Sequence, residues 1–169
     1  MGAQRTNPLP TVCHGGSGRT SIAALICAKP GRRTRLIYRT LTYHRRRQEP
    51  KGFGVKEFKT LLQAAHTQLG GPVSLVWDSL PEHVSAEIRA WIDAQADWLL
   101  VYRLPPYAPD LNPAEGIWAN LRTKLLNFTA DGIDQLTTLI KHRLKPMQYR
   151  PDLLDRFIAE TGLTISDPE

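Results

Sequence analysis

The chain has 169 residues, 41% of them hydrophobic, with 22 Lys or Arg against 16 Asp or Glu and a net charge of +6. That is long enough for one domain with a continuous core and too short for two, and no run reaches the roughly 20 apolar residues of a membrane-spanning helix. The polar stretch from Met1 to Pro10 lacks the apolar centre of a signal peptide, so the expectation is a cytoplasmic protein with no membrane partner.

Two cysteines, Cys13 and Cys27, stand apart with no zinc-finger spacing and read as packing residues. The charge is uneven: Met1 to Lys56 holds twelve Lys or Arg and one acid, Glu49, while Glu57 to Glu169 holds ten basic and fifteen acidic residues. A basic third of this density attracts polyanions and releases counterions from a nucleic-acid backbone. Arg45, Arg46 and Arg47 are its densest run and candidate nucleic-acid contacts; the same arginines also suit solvated loop ends kept for solubility.

In chain order, residues 1–19 are polar, with Gly15, Gly16 and Gly18 close together, and read as an irregular segment. Thr20 to Ala28 and Leu36 to Tyr43 are rich in β-formers around Pro30-Gly31 and predict a hairpin. Val55, Phe58, Leu61, Leu62, Ala65 and Leu69 follow helical spacing, stopped by Gly70-Gly71-Pro72. Val73 to Trp77 is an uninterrupted apolar run, expected as a central strand covered on both faces, and Asp78 follows it directly. Val84, Ile88, Trp91 and Ile92 predict a second helix, and Trp98 to Tyr102 a further buried strand.

The four prolines between Leu104 and Pro113 forbid regular structure there. Ile117, Leu121, Leu125 and Phe128 form the apolar face of a third helix, with two more at 133–144 and 151–161; the domain spans 20–164 and 165–169 is a tail. Trp77, Trp91, Trp98 and Trp118 are expected in the core. Antiparallel strands followed by alternating helices and strands make an α/β order. It fits an RNase H-like mixed sheet with flanking helices, whose site lies at the carboxyl ends of the strands, where Asp78 sits.

The most specific segment is Leu104 to Trp118, LPPYAPDLNPAEGIW, followed by Leu121, Arg122 and Lys124. It resembles the motif that carries the last catalytic carboxylate in DDE transposases of bacterial insertion sequences related to the mariner elements, and Glu115 matches that carboxylate. The run VSLVWDSLPEH resembles the family's second landmark: Asp78 matches the second catalytic Asp and His83 a His a few residues on, with Ser79 where Asn is usual. Thirty-six residues separate Asp78 from Glu115, close to the family's spacer.

The resemblance implies DNA transposition or integration by metal-dependent strand cleavage and transfer, with two Mg2+ or Mn2+ ions, DNA as partner, and Asp78 and Glu115 as both catalytic residues and metal ligands. His83, Arg122 and Lys124 are further candidate DNA contacts.

Elementary chemistry favours the same pair. Phosphodiester cleavage builds negative charge on oxygens that hard divalent cations stabilise, and carboxylates hold such cations. Asp78 leaves a rigid strand and Glu115 opens a helix after a stiff loop; Arg122 shares the face of Glu115 by seven-residue spacing. Plainer readings compete: Asp78 as a helix cap, Glu115 as a complement to a helix N-terminus, His83 as a structural hydrogen-bonder, Asp110 and Asn112 as loop-shaping residues.

The family resemblance also calls for a first Asp on an opening strand upstream of Thr20, yet no Asp precedes Asp78, and the earlier acids Glu49 and Glu57 do not follow strands. The expectation is an N-terminally truncated catalytic domain lacking its first strand, inactive alone, its metal binding impaired, and working if at all with an upstream transposase polypeptide or an intact transposase. The alternatives are a non-catalytic nucleic-acid-binding remnant and an RNase H-like nuclease unrelated to transposition.

Overall fold

The computed structural model describes residues 12–14, 18–79, 83, 85–106, 108–126 and 131–165. Val84, Tyr107 and Phe128, and most of the C-terminal tail, lie outside them. Strands β1 (Val12–His14), β2 (Gly18–Cys27) and β3 (Arg35–Tyr43) form an antiparallel sheet in that order, with Cys27 paired to Arg35 across the predicted turn. Two boundaries differ from the sequence reading. The segment expected to be irregular holds β1, and β2 begins at Gly18 rather than Thr20. Three residues followed by two glycines carry no readable alternation.

Helix α1 (Val55–Leu69) starts where Glu57 accepts a hydrogen bond from the Gly54 N–H (2.9 Å) and ends at Gly70, whose φ of 63° only glycine adopts readily. Then follow β4 (Val73–Trp77), α2 (Ala86–Asp93) capped by Ser85, and β5 (Leu99–Arg103) parallel to β4. A single 3-10 turn, Pro109–Leu111, occupies the loop thought to exclude regular structure; Pro109 opens it, and a proline's fixed φ suits a first turn. Helices α3 (Ala114–Leu125), α4 (Ile133–Met147) and α5 (Pro151–Glu160) complete the order.

The mixed α/β class stands, but the strands divide into a three-stranded and a two-stranded sheet, and among the described residues no ladder joins β2 to β4. The strands expected to be buried on both faces are not: Val76 is 38% exposed and Leu100 and Tyr102 are each 54% exposed. Leu75, Trp77 and Leu99 face the core, and their alternates face out.

Two apolar cores flank the β2–β3 hairpin. Ile22 and Leu36 pack with α3, α4 and α5; Ala23, Cys27 and Ile37 pack with α1, α2, β4 and β5. Ile117, Ile140, Leu144 and Leu154 are fully buried, and each such side chain contributes about 1.5–3 kcal/mol relative to exposure. All four tryptophans join the cores, Trp77 and Trp118 buried and Trp91 and Trp98 at their margins. Burial pushes the Cys27 thiol up to about 12, partly offset by Arg35, which leaves it a packing residue.

One polar joint ties α4 to the hairpin. Thr137 donates to the Ile133 carbonyl (2.9 Å), so its lone pairs receive the hydroxyls of Thr20 (2.6 Å) and Thr42 (3.0 Å). Thr20 is 0% exposed, and Thr137→Val leaves its hydroxyl without that acceptor. The expected cost is about 1–3 kcal/mol in urea denaturation, with part of it recovered in the Thr20→Val, Thr137→Val double variant.

A second joint is charged. His44, after β3, meets Asp134 in the first turn of α4 (2.8 Å) and Glu49 (3.3 Å). The hydrogen bond to Asp134 is the main reason the His44 pKa is raised, opposed by partial burial and reinforced by the charges of Asp134 and Glu49. A raised folded-state value means the protonated imidazole stabilises the fold fully below the unfolded pKa, and the stabilisation is lost as pH rises through the folded value. His44→Gln should therefore flatten the fall in stability on going from mildly acidic to alkaline pH; an unchanged profile of denaturation midpoint against pH would refute the assignment.

Candidate functional site

Strand β4 delivers Asp78 to its carboxyl end, and the short turn before α3 delivers Glu115. Asn112 holds that turn: its side-chain oxygen accepts from the Ala114 N–H (3.1 Å) and its carbonyl from the Glu115 N–H (3.0 Å). Asn112 is thus the loop-shaping residue the sequence suggests, while Asp110 lies exposed in the 3-10 turn. Ser79 donates to the Leu104 carbonyl (3.1 Å), tying the ends of β4 and β5 together just beyond Asp78.

The charge of Asp78 reaches Glu115. Burial raises the Glu115 pKa; the Arg122 guanidinium pulls it back down, and the Asp78 charge adds to the rise. Residues 37 apart in sequence are thereby within electrostatic reach, and Arg122 lies close enough to act on Glu115, as the seven-residue spacing predicts.

His83 is buried, 4% exposed, with Trp77 tilted across its ring (centroids 3.9 Å) and the Phe58 edge against it (4.6 Å). Its Nδ1 donates to Asp78 Oδ1 at 2.6 Å, since the carboxylate can only accept, and Arg103 donates to its carbonyl (3.0 Å). Nε2 is buried and has no hydrogen-bond partner among the described residues. His83 is thus buried and hydrogen-bonded to Asp78, and it lines the same cavity as Asp78. Its five-residue spacing from Asp78 is visible in the sequence; its seat against Phe58 is not.

The remaining candidates stay at the surface. Lys124 is exposed on α3, and Arg45, Arg46 and Arg47 are exposed in the turn after β3, outside the cavity that Asp78 lines. Arg45 has a left-handed φ of 63°, and the Arg46 N–H donates to Glu49 (3.3 Å). Both early acids serve local structure: Glu57 caps α1, and Glu49 holds the turn through the N–H groups of His44 and Arg46.

Asp78 and Glu115 offer the hard oxygen donors a divalent cation prefers. The set is short in number: no group of three His, Cys, Asp or Glu side chains among the described residues is arranged to hold a metal ion.

The fold agrees with what the chain is similar to. The model of the DDE superfamily endonuclease family matches residues 13–137, and the chain belongs to that family. It is 31% identical over 80 residues to the Tc1 transposable-element transposase of Caenorhabditis elegans, a match covering 46% of this chain and 29% of that protein. The catalytic domain of Mos1 transposase, solved with raltegravir and Mg, superposes with a TM-score of 0.57 at 13% identity over 94% of this chain and 83% of that one. Its Mn counterpart gives 0.56 at 12% identity over 94% and 82%, and the Mos1 paired-end complex with the left transposon end 0.50 at 13% over 88% and 55%. At these identities the likeness is one of fold, and the fold is RNase H-like.

Proposed function

We infer that this chain forms part of the metal-dependent centre of a transposase, the site at which DNA strands are cut and joined. The observation that carries the reading is the convergence of Asp78, at the carboxyl end of β4, with Glu115, at the start of α3. In this reading Asp78 and Glu115 hold the cation, His83 fixes the rotamer of Asp78, and Arg122 balances Glu115 and reaches toward substrate phosphate. The bound cations supply charge stabilisation for the attacking and leaving oxygens. DNA as the partner is supported by the basic first third of the chain and by the transposon-end complex of Mos1.

The reading is tested by Mn2+ titration of the purified chain together with cleavage of duplex DNA. Binding should be weak, no cleavage should occur, and His83→Asn should weaken Mn2+ binding by roughly 10–100-fold, as loss of a residue that orients a ligand does. Mn2+ binding indifferent to both Asp78→Asn and Glu115→Gln would sink the proposal. Mg2+- or Mn2+-dependent nicking lost in Glu115→Gln would instead show that this pair suffices.

A further inference from the structure

Alternate residues of a strand share a face, so Arg19 and Ser21 project together from the start of β2. The register sets Arg19 opposite Tyr43, the last residue of β3. Arg19 Nε is buried and has no hydrogen-bond partner among the described residues, and none of their ion pairs includes its guanidinium. A guanidinium keeps its charge and its donors, and a buried donor left unpaired is costly. Ser21, 5% exposed, is buried on the same face.

Gly52 borders both. A β-carbon at this position would lie 3.6 Å from Arg19 Nη2 and 3.6 Å from Ser21 Oγ, which is ordinary contact. The backbone there has no left-handed φ that would call for glycine. Neither conformation nor crowding demands a bare backbone, and the glycine leaves a gap bordered by a guanidinium and a hydroxyl.

The charges around the gap favour an anion. Lys51, next to Gly52, and Arg45, Arg46 and Arg47, between β3 and α1, are exposed, and no ion pair among the described residues holds their side chains. The nearby acids are already engaged. Glu49 and Asp134 face His44, and Glu57 accepts from the Gly54 N–H.

We propose that Arg19, Ser21 and Gly52 form a binding site for one phosphate group. The guanidinium fork matches two phosphate oxygens, the Ser21 hydroxyl donates to a third, and the bare backbone at Gly52 allows the close approach. Free phosphate and the phosphodiester of a nucleic-acid backbone share this chemistry, and the basic segment raises the local concentration of either. None of the three residues lines the cavity that holds Asp78, so the site does not rest on the metal reading.

The test follows the Arg19 Nε–Hε signal in proton–nitrogen correlation spectra of the full chain at constant pH and ionic strength. Inorganic phosphate replaces chloride in one titration, and duplex DNA without terminal phosphates is added in another. The signal should move. Gly52→Ala keeps every charge and fills the gap, so it should abolish the shift. Arg19→Lys keeps the charge and loses the fork, and should weaken binding by about 10–150-fold, the worth of one hydrogen bond to a charged group.

A shift produced by DNA and lost in Gly52→Ala identifies the ligand as a backbone phosphate; a shift with inorganic phosphate alone identifies a free phosphate anion. An Arg19 signal that neither ligand moves overturns the proposal. So does a shift that survives in Gly52→Ala, because attraction to the basic segment needs no gap. Should Gly52→Ala melt well below the parent, Arg19→Lys and Ser21→Ala decide instead, and binding unchanged in both overturns the site.

Discussion

Gly116→Ala lowers the free energy of unfolding by about 1–3 kcal/mol, the usual range for forcing a methyl into a packed interior. The sign is the informative part. In a helix, alanine is favoured over glycine by about 0.8–1 kcal/mol, so an unobstructed site would be stabilised by the change. At Gly116 a Cβ would run into the ring of Phe157, and ring atoms, unlike the end of a flexible side chain, cannot step aside. Helix α3 must then move off α5. Because Glu115 is the preceding residue, Mn2+ affinity should fall along with stability. Phe157→Leu combined with Gly116→Ala should recover part of the loss relative to the sum of the single changes. A Gly116→Ala protein as stable as the parent would show that α3 and α5 are not packed this closely.

Glu115→Gln is expected to separate stability from function. Burial, then the opposed charges of Arg122 and Asp78, leave the Glu115 pKa raised. A carboxyl whose folded value is raised stabilises the fold below its unfolded pKa and loses that contribution as pH rises through the folded value, so at neutral pH the ionised group is a burden. Glutamine removes the burden. In metal-free buffer at pH 7 the variant should melt above the parent, and the gap should close in acid, where Glu115 is protonated in both states.

Added Mn2+ reverses the order. A cation that binds only the folded parent stabilises it by about 2.7 kcal/mol at a hundredfold excess over Kd, and the glutamine variant gains much less. Thermal melts at two pH values, each with and without Mn2+, decide the matter; a variant stabilised by Mn2+ as much as the parent would remove Glu115 from the site.

The parts legible in the sequence are those written in local chemistry. Pro30-Gly31 marks the hairpin, Gly70 ends α1, and the apolar run before Asp78 and the Asn112-Pro113 start of α3 place both carboxylates at element ends. What escaped depends on residues far apart in the chain. Whether Val76, Leu100 and Tyr102 are covered is decided by what lies beside and over β4 and β5, and an apolar run does not say how many faces it buries. Gly116 looks like a weak point in a helix until Phe157 is set against it. His83 was visible as a neighbour of Asp78, but its burial against Phe58 of α1 required the tertiary contact.

The two cores on opposite sides of the β2–β3 hairpin carry a consequence for the order in which the molecule comes apart. The side holding α3, α4 and α5 includes the fully buried Ile140, Leu144 and Leu154 and the threonine joint; the other holds α1, α2 and the β4–β5 pair with its bare outer face. Local opening follows contact density, so the second unit should open first as a subglobal foldon while the first persists to global unfolding. Asp78 belongs to the labile unit and Glu115 to the durable one. The pair exists only while both units are closed, which ties competence of the site to the weaker half of the fold.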